Sequence, residues 1–347
     1  MAPCRHCEEA QRADEAISTK ETTMTDNAKQ KILSFFRKNT EHYISGEEIS
    51  SAMDVSRAYI WQYISKLRED GYEIDAVPHL GYKLRSAPDK LFEYEIKNGL
   101  KTRSIGGKAI HYHESISSTN NRAYELAEAG EPEGTMVIAE SQTHGKGRIG
   151  RRWLSPKGVG IYMSIILRPD VETDEIPSVT LIVAGSIAKV INRTTGIDAK
   201  IKWPNDIVVK GKKLCGILTE IKAQPDMVDF LILGIGINVN TPAGKLPQGA
   251  TSLKNETGAS MDRARLARRI LEEFEKDYNR FKQEGFSYLR NECKELSLTL
   301  NKKVRITEHH RVIKGTVVDM DGKGALIIEV ENGKFQRIFS GDVVLCR

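Results

Sequence analysis

Between residues 110 and 240 the chain is a succession of strand-length apolar segments interrupted by one long helical pattern. Thr135–Glu140 and Gly160–Leu167 are rich in β-formers, and Pro169 ends the second. Pro177 opens a helix carrying Leu181, Ala184, Ala188 and Ile191, which stops near Gly196. Four strand-like runs follow: Ala199–Asp206 broken by Pro204, then Ile207–Val209, Lys213–Ile221 after a hairpin at Gly211, and Asp229–Asn240. Arg263–Phe281 is a long amphipathic helix, with a shorter one over Phe286–Cys293. There is no regular βαβ alternation. This order predicts an α+β domain with a mixed sheet, not a doubly wound fold.

Into this pattern falls a stretch that suits neither helix nor strand, Glu140-Ser-Gln-Thr-His-Gly-Lys-Gly-Arg-Ile-Gly-Arg-Arg-Trp153. Gly145, Gly147 and Gly150 alternate with Lys146, Arg148, Arg151 and Arg152. Each glycine weakens a helix and gives a strand nothing to pack. The reading is a mobile cationic loop able to fold over an anion, with a solvated basic hairpin as the plainer alternative. Upstream, Ser117-Ser-Thr-Asn120 precedes Ala123, Leu126 and Ala127 as a helix entry. Capping is the first reading of these side chains, and a polar ligand head held at the helix N-terminus is the second. The glycines of Gly234-Ile-Gly-Ile-Asn-Val239, inside a strand, mark a close approach by a ligand or another backbone.

Other chemistries drop out. No Gly-Lys pair is followed by Ser or Thr, so there is no P-loop, and Val239 stands where a dinucleotide fingerprint needs its third glycine. No Gly-x-Ser-x-Gly elbow and no His-Glu-x-x-His occur. Cys4-x-x-Cys7 has no second Cys/His pair at a matching distance, so no metal site is expected. The five cysteines form no regular framework, which suits a reducing cytoplasm. Residues 1–25 read as a disordered leader without a secretory segment, with Met24 an alternative start. The longest apolar run, Val179–Ile191, carries Ser186 and Lys189 and is too short to span a bilayer.

Residues 26–86 have a different design. Ala28, Ile32, Leu33 and Phe36 share a helical face; Ser45, with Glu48 three residues on, opens a second helix to Met53; Asp54-Val-Ser56 breaks it; a third runs from Ser56 to about Asp70 over Ile60, Ile64 and Leu67. Two helices on a three-residue turn, then a strand, a tight turn at Pro78–Gly81 and a strand, describe a winged helix-turn-helix. Gly46, Glu47, Glu48 and Ser56, at the helix starts on either side of its turn, are expected to contact DNA. Arg57, Tyr59, Trp61, Gln62, Ser65 and Lys66 are expected to face outward to DNA, with Arg57, Lys66 and Lys83 on phosphates. A net charge of only +5 requires any such contact to come from a local patch. Pro88 begins a linker to residues 87–295, with a short helix over Leu91–Leu100. The tail, 296–347, holds five short strands with turns at Asp321-Gly322 and Asn332-Gly333, read as a small SH3-like barrel.

Taken together, Ser118-Thr-Asn120, Gln142 with Gly145-Lys-Gly-Arg148, Lys202-Trp-Pro-Asn-Asp206, Lys213-Leu-Cys-Gly216 and Gly234-Ile-Gly-Ile-Asn238 resemble, in order and spacing, the bifunctional biotin protein ligase and biotin operon repressor family. The likeness covers about residues 26–347. It implies two steps: biotin's carboxylate attacks the α-phosphorus of ATP to give biotinyl-5′-AMP and pyrophosphate, and the acyl group passes to a lysine of the biotin carboxyl carrier protein of acetyl-CoA carboxylase. The adenylate then serves as corepressor for a homodimer on operator DNA of biotin genes. The resemblance implies Lys202 and Arg148 as catalytic groups, and Mg²⁺ as phosphate counter-ion. It places Ser118, Thr119, Asn120 and Gln142 on biotin, and Gly145, Lys146, Gly147, Arg148, Asn205, Lys213, Gly216 and Asn238 around the adenylate. The family loop commonly reads Gly-Arg-Gly-Arg; Lys146 keeps the charge but not the bidentate fork. Cys215 is expected to pack, not to react, and Trp153 to anchor its loop. Lipoate ligation on the same fold, and a transcription factor whose central domain only senses a ligand, are the competing readings.

Overall fold

The computed structural model describes residues 28–223, 227–308, 311–331 and 333–346. Cys4, Cys7, Met24 and the proposed leader lie outside the described residues. Contacts divide the chain into two compact units, with the boundary between Asp89 and Lys90.

In the first unit three helices, α1 (28–38), α2 (Gly46–Met53) and α3 (Arg57–Glu69), precede a hairpin of β1 (Glu73–Val77) and β2 (Gly81–Ser86). Both helix starts are capped as their sequences predict. Ser45 accepts from the Glu48 N–H at 3.0 Å and Ser56 from the Tyr59 N–H at 3.2 Å. Each cap satisfies a donor the helix cannot. Asp54 takes the left-handed conformation between the helices, which turns the chain in the space of three residues. Ile32, Leu33, Phe36, Ile49, Ile60, Ile64 and Leu67 form the core. A short bridge pairs Ile44 with Tyr82 and docks the wing onto the helices. Gly81 is required there: at φ +106° any Cβ would lie 2.1 Å from the Ile44 carbonyl oxygen.

The second unit is built on a seven-stranded sheet. Its strands are β3 (Ile110–His113), β4 (Met136–Ala139), β5 (Gly160–Leu167), β6 (Ala199–Lys202), β7 (Asp206–Val209), β8 (Lys212–Ala223) and β9 (Val228–Asn238), in the order β3-β4-β5-β9-β8-β7-β6. Only β3 and β4 run parallel, so the sheet is mixed. The predicted helix over Leu91–Leu100 shortens to α4 (Glu93–Lys97). Then come α5 (Thr119–Glu128), α6 (Ile176–Thr195), α7 (Leu253–Thr257), α8 (Arg263–Glu284) and α9 (Ser287–Glu295).

Register decides which face does what. One row across the sheet reads Ile201, Ile207, Cys215, Ile237, Ile161, every member buried in the main core with α6 and α8. The next row reads Lys202, Asp206, Gly216, Gly236, Tyr162, Ala139. Because side chains alternate faces, this second row looks away from those helices.

The last strands, β10 (Lys303–Glu308), β11 (Arg311–Met320), β12 (Leu326–Val330), β13 (Phe335–Ile338) and β14 (Asp342–Leu345), form an antiparallel sheet in the order β13-β12-β11-β10-β14. No ladder joins β13 to β14 among the described residues, so barrel closure stays an expectation. Val304, Ile306, Val317, Leu326 and Ile328 belong to the same apolar core as the large sheet. Polar ties reinforce this packing: Trp203 Nε1 donates to Gly324 O at 3.0 Å and Lys323 reaches Asp174 at 2.7 Å.

Candidate functional site

The cavity-lining face of the large sheet is a trough because its floor has no side chains. Gly216, Gly234 and Gly236 sit side by side on β8 and β9. A Cβ on Gly234 would fall 2.0 Å from Asn120 Oδ1, and one on Gly236 would fall 2.5 Å from the Trp153 ring. The close approach predicted for these glycines is therefore made by two side chains, one from α5 and one from the cationic loop.

Ser118 occupies the N-cap position of α5 but makes no capping bond. The first reading of this entry is corrected: Gln142 Oε1 caps the helix instead, accepting from Thr119 N at 2.8 Å and lying 3.1 Å from Thr119 Oγ1. Gln142 is itself held by Ser155 Oγ at 2.9 Å. The Ser118 hydroxyl is left buried and without a partner, and its residue lines the cavity. Such a group is normally satisfied by an ordered water or by a bound ligand. Ser164, from β5, donates to Asn120 Oδ1 at 2.7 Å and lies 2.8 Å from Thr119 Oγ1.

The stretch from Glu140 to Trp153 forms a hairpin with its own ladder, the plainer of the two forms read from its sequence. Trp153 N donates to Gly145 O at 2.8 Å, Gly147 N to Arg151 O at 2.7 Å, and a bridge joins Lys146 to Arg152. Its tip turns at Ile149, which is left-handed at φ 54° and 74% exposed. Trp153 lies on the Gly216/Gly236 floor with the Lys213 ammonium 5.5 Å from its ring centroid. It anchors the hairpin as expected, and it also fills part of the trough.

Five cations, Lys146, Arg148, Arg151, Arg152 and Lys213, line the remaining space. Arg148 is half-buried, and donates to Asn205 Oδ1 at 3.0 Å; burial pushes its guanidinium down from the ordinary range. Lys213 pairs with Asp206 at 2.7 Å. Lys146 pairs with Glu220 at 3.0 Å, and Glu220 also accepts from Asn120 Nδ2 at 2.7 Å. Arg151 pairs with Asp342 of the C-terminal sheet, which closes one end.

The cavity so formed is about 140 Å³ and is lined by Ser118, Thr119, Asn120, Gln142, Lys146, Gly147, Arg148, Asn205, Lys213 and Gly216 among the expected residues. Ligand pockets usually run to about 300–1,000 Å³, so a ligand of adenylate size needs the Trp153 hairpin to shift. Gly145, Lys202 and Asn238 are not part of its lining. Gly145 is packed under Trp153 O, and Asn238 spends its amide on Thr251 O at 3.0 Å. Lys202 ends the row that continues through Asp206 and Gly216, so it shares the cavity face, about 10 Å from Gly216 at two strand spacings. Sequence reasoning missed Glu220, Ser164 and Asp206 as members; Asp206 was within a quoted motif, but nothing local marks the other two. Cys215 is fully buried on the opposite row, and burial pushes its thiol well above the usual range, so it packs.

An apolar cleft of about 480 Å³ lies beyond Arg148 and Asn205, lined by Ile176, Pro177, Ile217, Ile221 and Phe339. It is larger and shares Arg148 and Asn205 with the trough, but it has no glycine floor, and Thr180 and Thr219 in its wall bond each other at 2.9 Å.

In the first unit, Arg57, Trp61, Gln62 and Lys66 are exposed on α3, while Tyr59 and Ser65 are half-buried. Ser65 Oγ donates to Trp61 O at 3.0 Å, so it is occupied within its own helix. Tyr59 packs at a tilt of 39° against Tyr63, ring centroids 4.4 Å apart, and its hydrogen bond to Tyr63 with partial burial raises the phenol to about 12. Arg57 pairs with Glu47 of α2, both exposed. Gly46 and Glu48 stand at the start of α2, where Glu48 serves the Ser45 cap. Lys83 donates to Glu41 O at 2.9 Å on the wing. The exposed set combines cations, an amide and an indole 61% exposed, the side-chain types that can reach base edges and phosphates.

Comparison with known proteins agrees with each part of this layout. Residues 112–238 match the Biotin/lipoate A/B protein ligase family, 29–83 an HTH domain, and 299–345 the Biotin protein ligase C terminal domain. The chain is 39% identical over 326 residues to the "Bifunctional ligase/repressor BirA" of Bacillus subtilis, covering 93% of this chain and all of the relative. It is 30% identical to the protein of the same name from Escherichia coli, covering 87% of this chain and 92% of that one. Among solved structures, "Biotin protein ligase from Aquifex aeolicus in complex with biotin and ATP" superimposes with a TM-score of 0.60 at 31% identity, over 69% of this chain and 99% of that one. Full-length identity of this order, shared across the helix-turn-helix, the trough and the final strands, is why the chain belongs to the bifunctional biotin ligase/repressor family.

Proposed function

We propose that this protein is an ATP-dependent biotin protein ligase that also represses transcription through its winged helix. The observation that carries the reading is the convergence, over a glycine floor, of a helix N-terminus with an unpartnered Ser118 hydroxyl, five cations and the Gln142 amide. Biotin's ureido ring, with donors and acceptors on one edge, suits Ser118, Thr119, Asn120 and Gln142. Bringing a carboxylate to the α-phosphorus of ATP joins two anions, and Lys146, Arg148 and Lys202 offset that charge as it concentrates in the transition state. The carboxylate oxygen bonds to phosphorus as pyrophosphate leaves; the acceptor lysine's amine then attacks the acyl carbon and AMP departs.

Mg²⁺ enters this scheme on the nucleotide. The carboxylates lining the cavity, Asp206 and Asp342, each pair with a cation, Lys213 and Arg151. A hydrated Mg²⁺ bound by phosphates needs neither carboxylate. The mixed anhydride hydrolyses in water, which gives the Gln142–Trp153 hairpin a purpose as a cover. The three-domain division at 86/87 and 295/296, with an SH3-like barrel at the end, is retained as part of this reading. So is a homodimer on a two-fold operator, with the adenylate as corepressor. No helix among the described residues is long and apolar enough to cross a membrane. The cytoplasm is kept as the site of action, in keeping with the free thiols of Cys215, Cys293 and Cys346.

The test supplies ATP, Mg²⁺, labelled biotin and an apo biotin carboxyl carrier domain. Transfer of label that requires both ATP and carrier supports the ligase. Ligand binding without transfer would favour a sensor, and transfer of lipoate in place of biotin would favour the other branch of the fold.

A further inference from the structure

Arg263 is the first residue of α8, where the helix dipole disfavours a cation. It is nevertheless fully buried, 0% exposed, and pairs at 2.9 Å with Glu140, which is 1% exposed. A buried ion pair of this kind adds little net stability over a well-packed apolar pair, so its retention asks for another explanation. Its connections supply one. Glu140 is the foot of the hairpin's outgoing arm, two residues before Gln142. The returning arm passes the same point, because Gly158 N donates to Glu140 O at 3.1 Å and Arg263 donates to Gly160 O at 3.0 Å. The second carboxylate oxygen of Glu140 accepts from Leu91 N at 2.7 Å. Leu91 is the second residue of the ligase unit, directly after the segment that leads out to the winged helix. Both feet of the ligand hairpin and the start of the ligase body thus meet on one carboxylate–guanidinium pair.

We propose that the Glu140–Arg263 pair is a positioning joint, through which ordering of the Gln142–Trp153 hairpin by ligand is transmitted to the segment leading to the DNA-binding unit. The proposal rests on the ligase/repressor reading above. A ligand that draws Gln142 and Arg148 inward pulls on Glu140, whose oxygens cannot move without carrying Arg263 and the Leu91 amide. The interaction is charged, short and shielded from water, so it resists being broken and re-formed independently at each end.

Hydrogen–deuterium exchange on the full chain tests this, with biotin, ATP and Mg²⁺ added together. In the unsubstituted protein, exchange should slow by about tenfold both in residues 141–153 and in residues 88–97, a coupling of ordinary allosteric size. In Glu140→Gln the slowing at 141–153 should persist and that at 88–97 should vanish. Equal slowing of both segments in Glu140→Gln overturns the proposal, as does an unsubstituted protein whose hairpin responds while 88–97 does not. A hairpin that fails to respond at all overturns the ligand-site reading and this proposal with it. Should Glu140→Gln not fold, Arg263→Lys is read in the same way: it keeps the buried charge but cannot hold Glu140 and Gly160 together. A purely structural pair would lower the melting temperature in either variant and leave the ligand response of 88–97 intact.

Discussion

On α3, Arg57, Trp61, Gln62 and Lys66 come from three turns of one helix and owe their common direction to that helix alone. In the ligase unit, Ser118, Lys146, Arg148, Asp206, Gly216 and Gly236 come from a helix entry, a hairpin and three strands, and owe theirs to sheet register. The first surface is exposed and held in place by a few caps. The second is enclosed, and its members grip one another: Gln142 caps α5, Asn205 holds Arg148, and Glu220 ties Asn120 to Lys146. A surface of the first kind loses its members one at a time. In a site of the second kind, losing one member disturbs the others to the extent that their shared contacts are buried.

That contrast can be broken most forcefully at Lys202. Lys202→Ala should lower biotin transfer to the carrier by about 10²–10³-fold, the usual cost of removing one transition-state charge. Its melting temperature should stay unchanged, as should its DNA affinity measured without biotin and ATP, while any tightening brought by biotin plus ATP should be lost. Undiminished transfer would remove Lys202 from the site, and with it the argument from the Lys202–Asp206–Gly216 row.

Gly236→Ala comes next. Its Cβ meets the Trp153 ring at 2.5 Å, so the hairpin must lift or the sheet must bend. Overpacking of this sort costs about 1–3 kcal/mol, and the biotin KM should rise by about tenfold. Gly244→Ala, where nothing lies within 4 Å, is the control and should change neither.

On the other surface, Lys66→Ala should weaken DNA binding and reduce the slope of log affinity against log salt by about one. Trp61→Ala should weaken binding without touching that slope. Ligase kinetics should be the same in both. A fall in transfer activity would mean that the two regions are not the separate kinds of surface described.

Glu220→Gln sits at the small end. The Lys146–Glu220 pair is partly exposed, and such pairs contribute about 0–1 kcal/mol, so the biotin KM should move only two- to threefold. A larger effect would show that Glu220 acts mainly by setting Asn120.

How much of this was legible in the sequence follows from the same contrast. The helix-turn-helix could be read nearly residue by residue, because caps at Ser45 and Ser56 and the period of Ile60, Ile64 and Leu67 are local signals. Only the inward tilt of Tyr59 and Ser65 escaped, since the Tyr63 ring and the Trp61 carbonyl that engage them are matters of packing. For the ligase unit the mixed sheet and the motifs were readable, and their geometry was not. Ser118 looked like a cap because the position is right; the cap is Gln142, over twenty residues away. Glu220 and Ser164 carry no local signature, and enter the site only because antiparallel pairing sets Ser164 opposite Gly234, and Leu218, two residues before Glu220, opposite the same glycine. The strand glycines announced a close approach, and only the folded chain identifies Asn120 and Trp153 as what approaches.

The central claim is that the glycine-floored trough under the hairpin holds the biotinyl adenylate. A crystal structure grown with biotin, ATP and Mg²⁺ tests it most directly. The account predicts density over Gly216, Gly234 and Gly236, the ureido ring against Ser118 and Gln142, the phosphate between Arg148 and Lys202, and Trp153 displaced from its position on the floor. Density in the apolar cleft by Ile176, Ile221 and Phe339, with the trough still filled by Trp153, would contradict it.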